Sequence, residues 1–177
     1  EKLEGEPTRD PAFGLPATWI AENVRERAER SGYTVVDGPS IIATHLTEIL
    51  KHHAGEILGR QEIRSMLDTL KTDYSAVVDE VTKSFSLGEI QKILQGLLQE
   101  QVSIRNLVAI LETLGDYSSV SKNIGYLIEK TRQTLGRQIC LQYADDKRIL
   151  HILTIAPAME KKIIDSRTET ATGDIAV

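Results

Sequence analysis

Disulfide scaffolding is out of reach for this chain, because its 177 residues hold a single cysteine, Cys140, and a covalent bridge needs two. A reducing compartment fits that usage. Cys140 stands between Ile139 and Leu141 in a helical pattern, as a core or helix-surface thiol. No apolar run approaches the roughly eighteen residues that cross a bilayer. The opening EKLEGEPTRD has neither the basic start nor the apolar centre of a signal peptide. The chain by itself is therefore expected to be soluble and cytoplasmic. Clustered Lys and Arg are also missing: 21 basic residues face 26 acidic ones, for a net charge of -5 and a pI near 5.4. A nucleic-acid surface works by releasing counterions from phosphates and needs such clusters, so nucleic acid is not expected as a partner.

Catalytic signatures are equally scarce. Neither G-x-x-x-x-G-K-[ST] nor G-x-G-x-x-G occurs, which removes the glycine-rich turn that cradles phosphates at a helix start. No serine sits in a G-x-S-x-G elbow, and Cys140 has no activating neighbour in sequence. Asp145 and Asp146 lie at a helix end and read as solvated turn residues. One metal hypothesis is worth stating: His45, Glu48 and His52 fall at i, i+3 and i+7 of one helix and can share a face. T-H-L-T-E lacks the H-E-x-x-H order, however, and no third strong ligand is in view, so a solvated face is the plainer reading. His53 points elsewhere, to the surface. A metal-dependent enzyme built on His45, Glu48 and His52 is the distant alternative; the expectation is no enzyme, no metal and no cofactor.

The remaining composition, 41% apolar and 27% charged, suffices for a folded core. Pro7, Pro11 and Pro16 with Gly5 and Gly14 forbid a continuous helix near the start, and this stretch reads as an ordered loop. Ala21 to Arg30 favours helix and stops at Gly32, and Tyr33 to Val36 reads as a short strand ending at the turn Asp37-Gly38-Pro39. Ser40 is placed to cap a helix carrying Ile42, Leu46, Ile49 and Leu50, which ends near Gly55 or Gly59. Three apolar stripes follow: Ile63, Met66, Leu67 and Leu70; then Ile90, Ile93, Leu94, Leu97 and Leu98; then Leu107, Val108, Leu111 and Leu114. Ser86 with Glu89 forms a capping box for the second, and Ser103 is placed to cap the third. A further helix from Asn123 to Tyr143 carries Leu127, Leu135, Ile139 and Cys140 and leads into an apolar strand from Ile149 to Ile155. The tail from Ile164 to Val177 is polar and turn-rich and offers that strand no pair of partners. The strand therefore either joins Tyr33 to Val36 or opens a further domain.

Within the proline-rich run, Phe13 lies between Asp10-Pro11 and Gly14-Leu15-Pro16. A rigid, partly exposed aromatic is good binding material, because little ordering entropy remains to be lost. Leu15, Pro16 and Trp19 are expected to hold the loop on the core.

The segments DPAFGLPATWI, GYTVVDGPSIIATHLTEILKHHAGEILGRQE, SLGEIQKILQGLLQEQVSIRNLVAILETLGDY and TRQTLGRQI, in that order, resemble the cytoplasmic domain of the FHIPEP family of type III export-gate proteins. The resemblance runs from about residue 5 to 155, and Gly38-Pro39 is its visible departure, at the turn after VVD. It implies a mainly helical α+β fold: residues 1–57 from the first two cytoplasmic subdomains, 58–137 a helical subdomain, and 138–177 the start of a truncated α/β subdomain. It also implies the flagellar branch, with the injectisome branch as alternative, and a platform that docks export chaperones with bound late substrates. The residues matching the family's docking site are Asp10, Phe13 and Thr44, with Val36 and Ile41 lining it. Further implied partners are the export ATPase complex, other gate proteins and eight sister copies in a nonameric ring. The family reaches the inner membrane through an N-terminal region that this sequence does not include.

Overall fold

The computed structural model describes residues 4–169 and 175–176. It divides into two compact units, Glu1–Gly136 and Arg137–Val177, and the fold is a mainly helical α+β arrangement.

The first unit begins as a hairpin. β1 (Glu6–Arg9) pairs antiparallel with β2 (Pro16–Trp19), in a register that sets Glu6 opposite Trp19 and Arg9 opposite Pro16. The proline-rich run is thus more ordered than a loop, with both prolines of the strands on a two-stranded ribbon whose outer edges tolerate a missing N–H. A 3₁₀ turn (Glu22–Val24) leads into α1 (Arg25–Arg30). α1 ends in a Schellman motif, in which Gly32 donates to the Glu29 carbonyl, and Tyr33 to that of Ala28. Gly32 has φ +85°, which a residue with a Cβ adopts only under strain.

Tyr33 to Val36 is not a strand. No strand of the described residues lies beside it, and the segment has no regular secondary structure up to Asp37. Asp37, rather than Ser40, caps α2 (Gly38–His52): its Oδ1 accepts the Ser40 N–H at 2.8 Å, with Pro39 in the first turn where no N–H is needed. The Ser40 side chain first, and this backbone N–H second, hold the Asp37 carboxyl below the usual range. None of α2 is fully buried, and Ile42, Leu46, Ile49 and Leu50 are exposed.

Behind α2 the chain builds a helical bundle: α3 (Ala54–Ile57), α4 (Arg60–Lys71), α5 (Ser75–Ser84), α6 (Leu87–Gln99), α7 (Leu107–Tyr117) and α8 (Ile124–Thr134). α6 is central, packed against α3, α4 and α8, while α7 packs on α5 and α8. Its stripe delivers Ile90, Ile93, Leu94 and Leu97 to the core, where Ile63, Leu67, Ile110, Leu111, Leu114 and Leu127 meet them. Each such fully buried side chain contributes roughly 1.5–3 kcal/mol. The α3–α4 junction is tied to α6 by Gln91 and Gln95, whose amides both donate to the Leu58 carbonyl, at 3.0 and 2.9 Å.

Helix ends follow local chemistry. The capping box at α6 has both halves: the Ser86 hydroxyl accepts the Glu89 N–H at 3.3 Å and the Glu89 carboxylate accepts the Ser86 N–H at 2.8 Å. Ser103 does not cap α7, which starts four residues later after Asn106; the Ser103 hydroxyl accepts the Arg105 N–H instead. The helix foreseen from Asn123 to Tyr143 is two helices, with Asn123 capping α8 through the Tyr126 N–H and a break at Leu135 before α9 (Gly136–Tyr143).

The second unit carries most of α9, α10 (Pro157–Asp165) and a two-residue pair of β3 (Thr168–Glu169) with β4 (Ile175–Ala176). Ile149 to Ile155 has no regular secondary structure and is part of no sheet among the described residues, so it is neither paired with Tyr33–Val36 nor a ladder strand; Ile152 and Leu153 are exposed. Its start is fixed by Asp145, whose Oδ1 accepts the N–H groups of Lys147 and Ile149. The tail is less structureless than its composition suggests, because Ile164 and Asp165 close α10 and Thr168–Glu169 pairs with Ile175–Ala176; residues 170–174 and 177 lie outside the described set. Cys140 is exposed on α9.

Candidate functional site

The hairpin, α1, the segment 33–37 and the first two turns of α2 enclose one open cleft of about 850 Å³. Asp10, Phe13, Val36, Ile41 and Thr44 all line it, although Thr44 is 31 residues beyond Phe13 in sequence. Phe13 is 61% exposed and Val36 53%, so apolar area is open to a partner. The sequence pattern did not single out Leu15, Trp19 and Tyr33 for this surface. Leu15 and Trp19 do not plug the loop onto the core: they are 61% and 53% exposed and line the same cleft, as does Tyr33. The physical reason is that the two-stranded ribbon is covered only in part: Thr8 and Ala17 are half-buried, while the other strand residues are exposed. Strand alternation around Trp19 is the signal that would have found it.

The loop between the strands, residues 10–15, has its own scaffold. Asp10 donates its N–H to the Leu15 carbonyl and accepts the Gly14 N–H on its own carbonyl, both at 2.8 Å. Its Oδ1 accepts two more N–H groups, Ala12 at 2.9 Å and Phe13 at 2.7 Å, and Arg9 Nη1 donates to the Gly14 carbonyl at 3.0 Å.

Charged groups around the cleft are largely satisfied by near neighbours. Arg25 bonds Glu29 at 3.2 Å and Glu22 at 3.5 Å; Glu29 first and then Glu22 raise its pKa further above the ordinary arginine value. Asp37 is engaged as the α2 cap. Mutual satisfaction of these groups leaves the apolar side chains as the surface's main source of binding energy.

His45, Glu48 and His52 do not converge on a ligand. Glu48 is paired with Lys51 at 2.7 Å, and His52 Nδ1 lies 2.8 Å from the Glu48 backbone carbonyl rather than its carboxylate. His45 Nδ1 is buried without a hydrogen-bond partner among the described residues. Among those residues no three His, Cys, Asp or Glu side chains gather closely enough for a metal ion. No described helix is long and apolar enough to cross a membrane.

The model of the FHIPEP family matches residues 1–177. The chain is 55% identical over 168 residues to the flagellar biosynthesis protein FlhA of Borreliella burgdorferi, covering 95% of this chain and 24% of that protein. It is 47% identical over 173 residues to FlhA of Bacillus subtilis, covering 97% and 26%. The chain thus spans about a quarter of these relatives' length. Among solved structures, the Chlamydia pneumoniae CdsV protein superposes with a TM-score of 0.85 at 26% identity, covering 97% of this chain and 50% of that one. Nonameric EPEC SctV-C superposes at 0.77 and 26% identity, covering 100% and 55%.

Proposed function

Since this chain belongs to the FHIPEP family, we propose that it forms part of the cytoplasmic docking platform of a flagellar type III protein export gate, receiving export chaperones with bound late substrates. The single observation carrying this reading is the convergence of Asp10, Phe13, Val36, Ile41 and Thr44 on one cleft whose apolar side chains are half or more exposed at Phe13 and Val36. Burying those side chains under a partner supplies the driving force, and a proline-braced hairpin loses little entropy on binding.

The flagellar assignment over the injectisome one rests on the relatives' names and identities, 55% and 47%. The reading involves binding and handing over of cargo, with no bond made or broken by this chain, on the cytoplasmic side of the inner membrane. The nonameric state of SctV-C is the model for its assembly, and the complex of CdsV with CdsO is the model for a further protein contact of the export machinery.

Calorimetric titration of the chain with a purified flagellar chaperone–substrate complex tests the reading. Phe13→Ala should weaken binding by about 2 kcal/mol or more, roughly 30-fold, as for a buried aromatic anchor. Unchanged affinity with the fold intact would sink it.

A further inference from the structure

We infer that Trp19 is a second anchor of the cleft, met by a second apolar side chain of the same docked chaperone; this rests on the docking reading above. Phe13 stands in the loop at one end of the hairpin, beyond the pair Arg9 and Pro16, and Trp19 stands at the other end, opposite Glu6. Three strand steps of about 3.3 Å, roughly 10 Å in all, separate Pro16 from Trp19. Both rings line the one cleft, and both are more than half exposed. Leu15 and Tyr33 add apolar area to its wall, so that area is not confined to the Phe13 end.

The Trp19 side chain does not have the setting of a brace. A tryptophan that holds a hairpin in place is buried, and its indole N–H then finds an acceptor. Here the ring is open, and the N–H has no partner among the described residues. Strand alternation nevertheless sets Trp19 on the ribbon face of the half-buried Ala17, where a partner entering the cleft meets it. The neighbouring charges are already engaged, Arg25 with Glu22 and Glu29, and Asp37 with Ser40. That end of the cleft therefore offers a large apolar ring and one unused donor. The cleft is continuous, so a chaperone seated over Phe13 abuts Trp19 as well. Its complementary surface carries two apolar side chains on the order of 10 Å apart, the second beside a carbonyl or carboxylate oxygen that accepts the indole N–H.

The chain holds one tryptophan, so 5-fluorotryptophan labels this position alone. Fluorine NMR of the labelled 177-residue chain should be recorded in H2O and D2O, free and saturated with a purified flagellar chaperone–substrate complex. A second anchor predicts that the solvent isotope shift of the single resonance falls on binding. Titration calorimetry should show a loss of about tenfold or more in Trp19→Ala, with Trp19→Phe, which keeps a ring and drops the N–H, between it and wild type. An unchanged isotope shift in the saturated complex overturns the contact, whatever the variants do; a weakened Trp19→Ala then marks a brace of the hairpin. Affinity within about twofold of wild type in a folded Trp19→Ala overturns the anchor too. Should Trp19→Ala unfold, the fluorine measurement on the unsubstituted chain still decides. Phe13→Ala separates the two levels: unchanged binding there overturns the docking reading and the second anchor with it. A tenfold or greater loss there, with the Trp19 resonance still open to solvent in the wild-type complex, overturns only the second anchor.

Discussion

Phe13 reaches into the cleft from a backbone N–H that is held at 2.7 Å by the carboxylate of Asp10, three residues earlier. That bond joins two of the residues that motif resemblance singled out, and through it one cleft-lining side chain holds the backbone of the other. Thr44 and Ile41 reach the same cleft from α2, whose entry is set by the Asp37 cap. The site is thus an assembly of two locally specified pieces, the hairpin loop and the capped start of α2.

Gly5 is where the hairpin is least tolerant of change. A Cβ there would stand 2.2 Å from the Trp19 carbonyl oxygen and 2.7 Å from Thr18 Cγ2. The first of these is backbone and cannot swing aside, so Gly5→Ala should force the strand ends apart at a cost of about 1–3 kcal/mol. Emission from Trp19, the single tryptophan, reports it: a shift is expected in Gly5→Ala, and an unchanged spectrum contradicts the close pairing.

Gln101 offers the opposite opportunity. It sits at φ 58° just past α6, donating to the Leu98 carbonyl while Val102 donates to that of Leu97, the position where glycine is preferred. Gln101→Gly should stabilise by up to about 1 kcal/mol, the relief of left-handed strain outweighing the added freedom of the unfolded chain. Urea unfolding should show a higher midpoint, and a lower one would contradict the strain argument.

Ile93 lies at 0% exposure on the central helix α6. Ile93→Ala should lower stability by about 2–5 kcal/mol through lost burial and a residual cavity. Chemical denaturation measures it, and a change under about 1 kcal/mol would contradict the placement of α6 at the bundle's centre.

Acid sensitivity should trace partly to the α6 capping box. The Ser86 backbone N–H, and then its hydroxyl, hold the Glu89 carboxyl below its ordinary range. A carboxyl lowered on folding stabilises fully above its unfolded pKa of about 4.3 and loses that contribution as pH falls through the lower folded value. Glu89→Gln should therefore show a shallower fall in melting temperature from pH 5 downward than wild type. Identical slopes would contradict the assignment.

The bundle was legible because its signals are local. Stripes at helical spacing put Ile63, Ile90, Ile93, Leu97 and Leu111 in the core, and the Ser86–Glu89 box marked a helix start that the structure keeps. Tyr33–Val36 and Ile149–Ile155 misled for one shared reason: β-branched and apolar runs show a preference for strand, but a strand exists only where another supplies the ladder, and neither segment has such a neighbour among the described residues. Ser40 lost the capping role to Asp37 because glycine and proline fit the first helical positions, moving the start three residues earlier. Trp19 and Leu15 went the same way as the strands. Large apolar side chains suggest burial, yet a hairpin covered only in part leaves them facing the cleft.

The central claim is that a partner docks over Phe13. Replacing Phe13 with the photoreactive p-benzoylphenylalanine keeps an aromatic ring there, and a control carries the same group at Glu112, an exposed position on α7. After irradiation with a purified chaperone–substrate complex, the account predicts a covalent adduct containing the chaperone from position 13 and none from position 112. A chaperone adduct at 112 with none at 13 would contradict it.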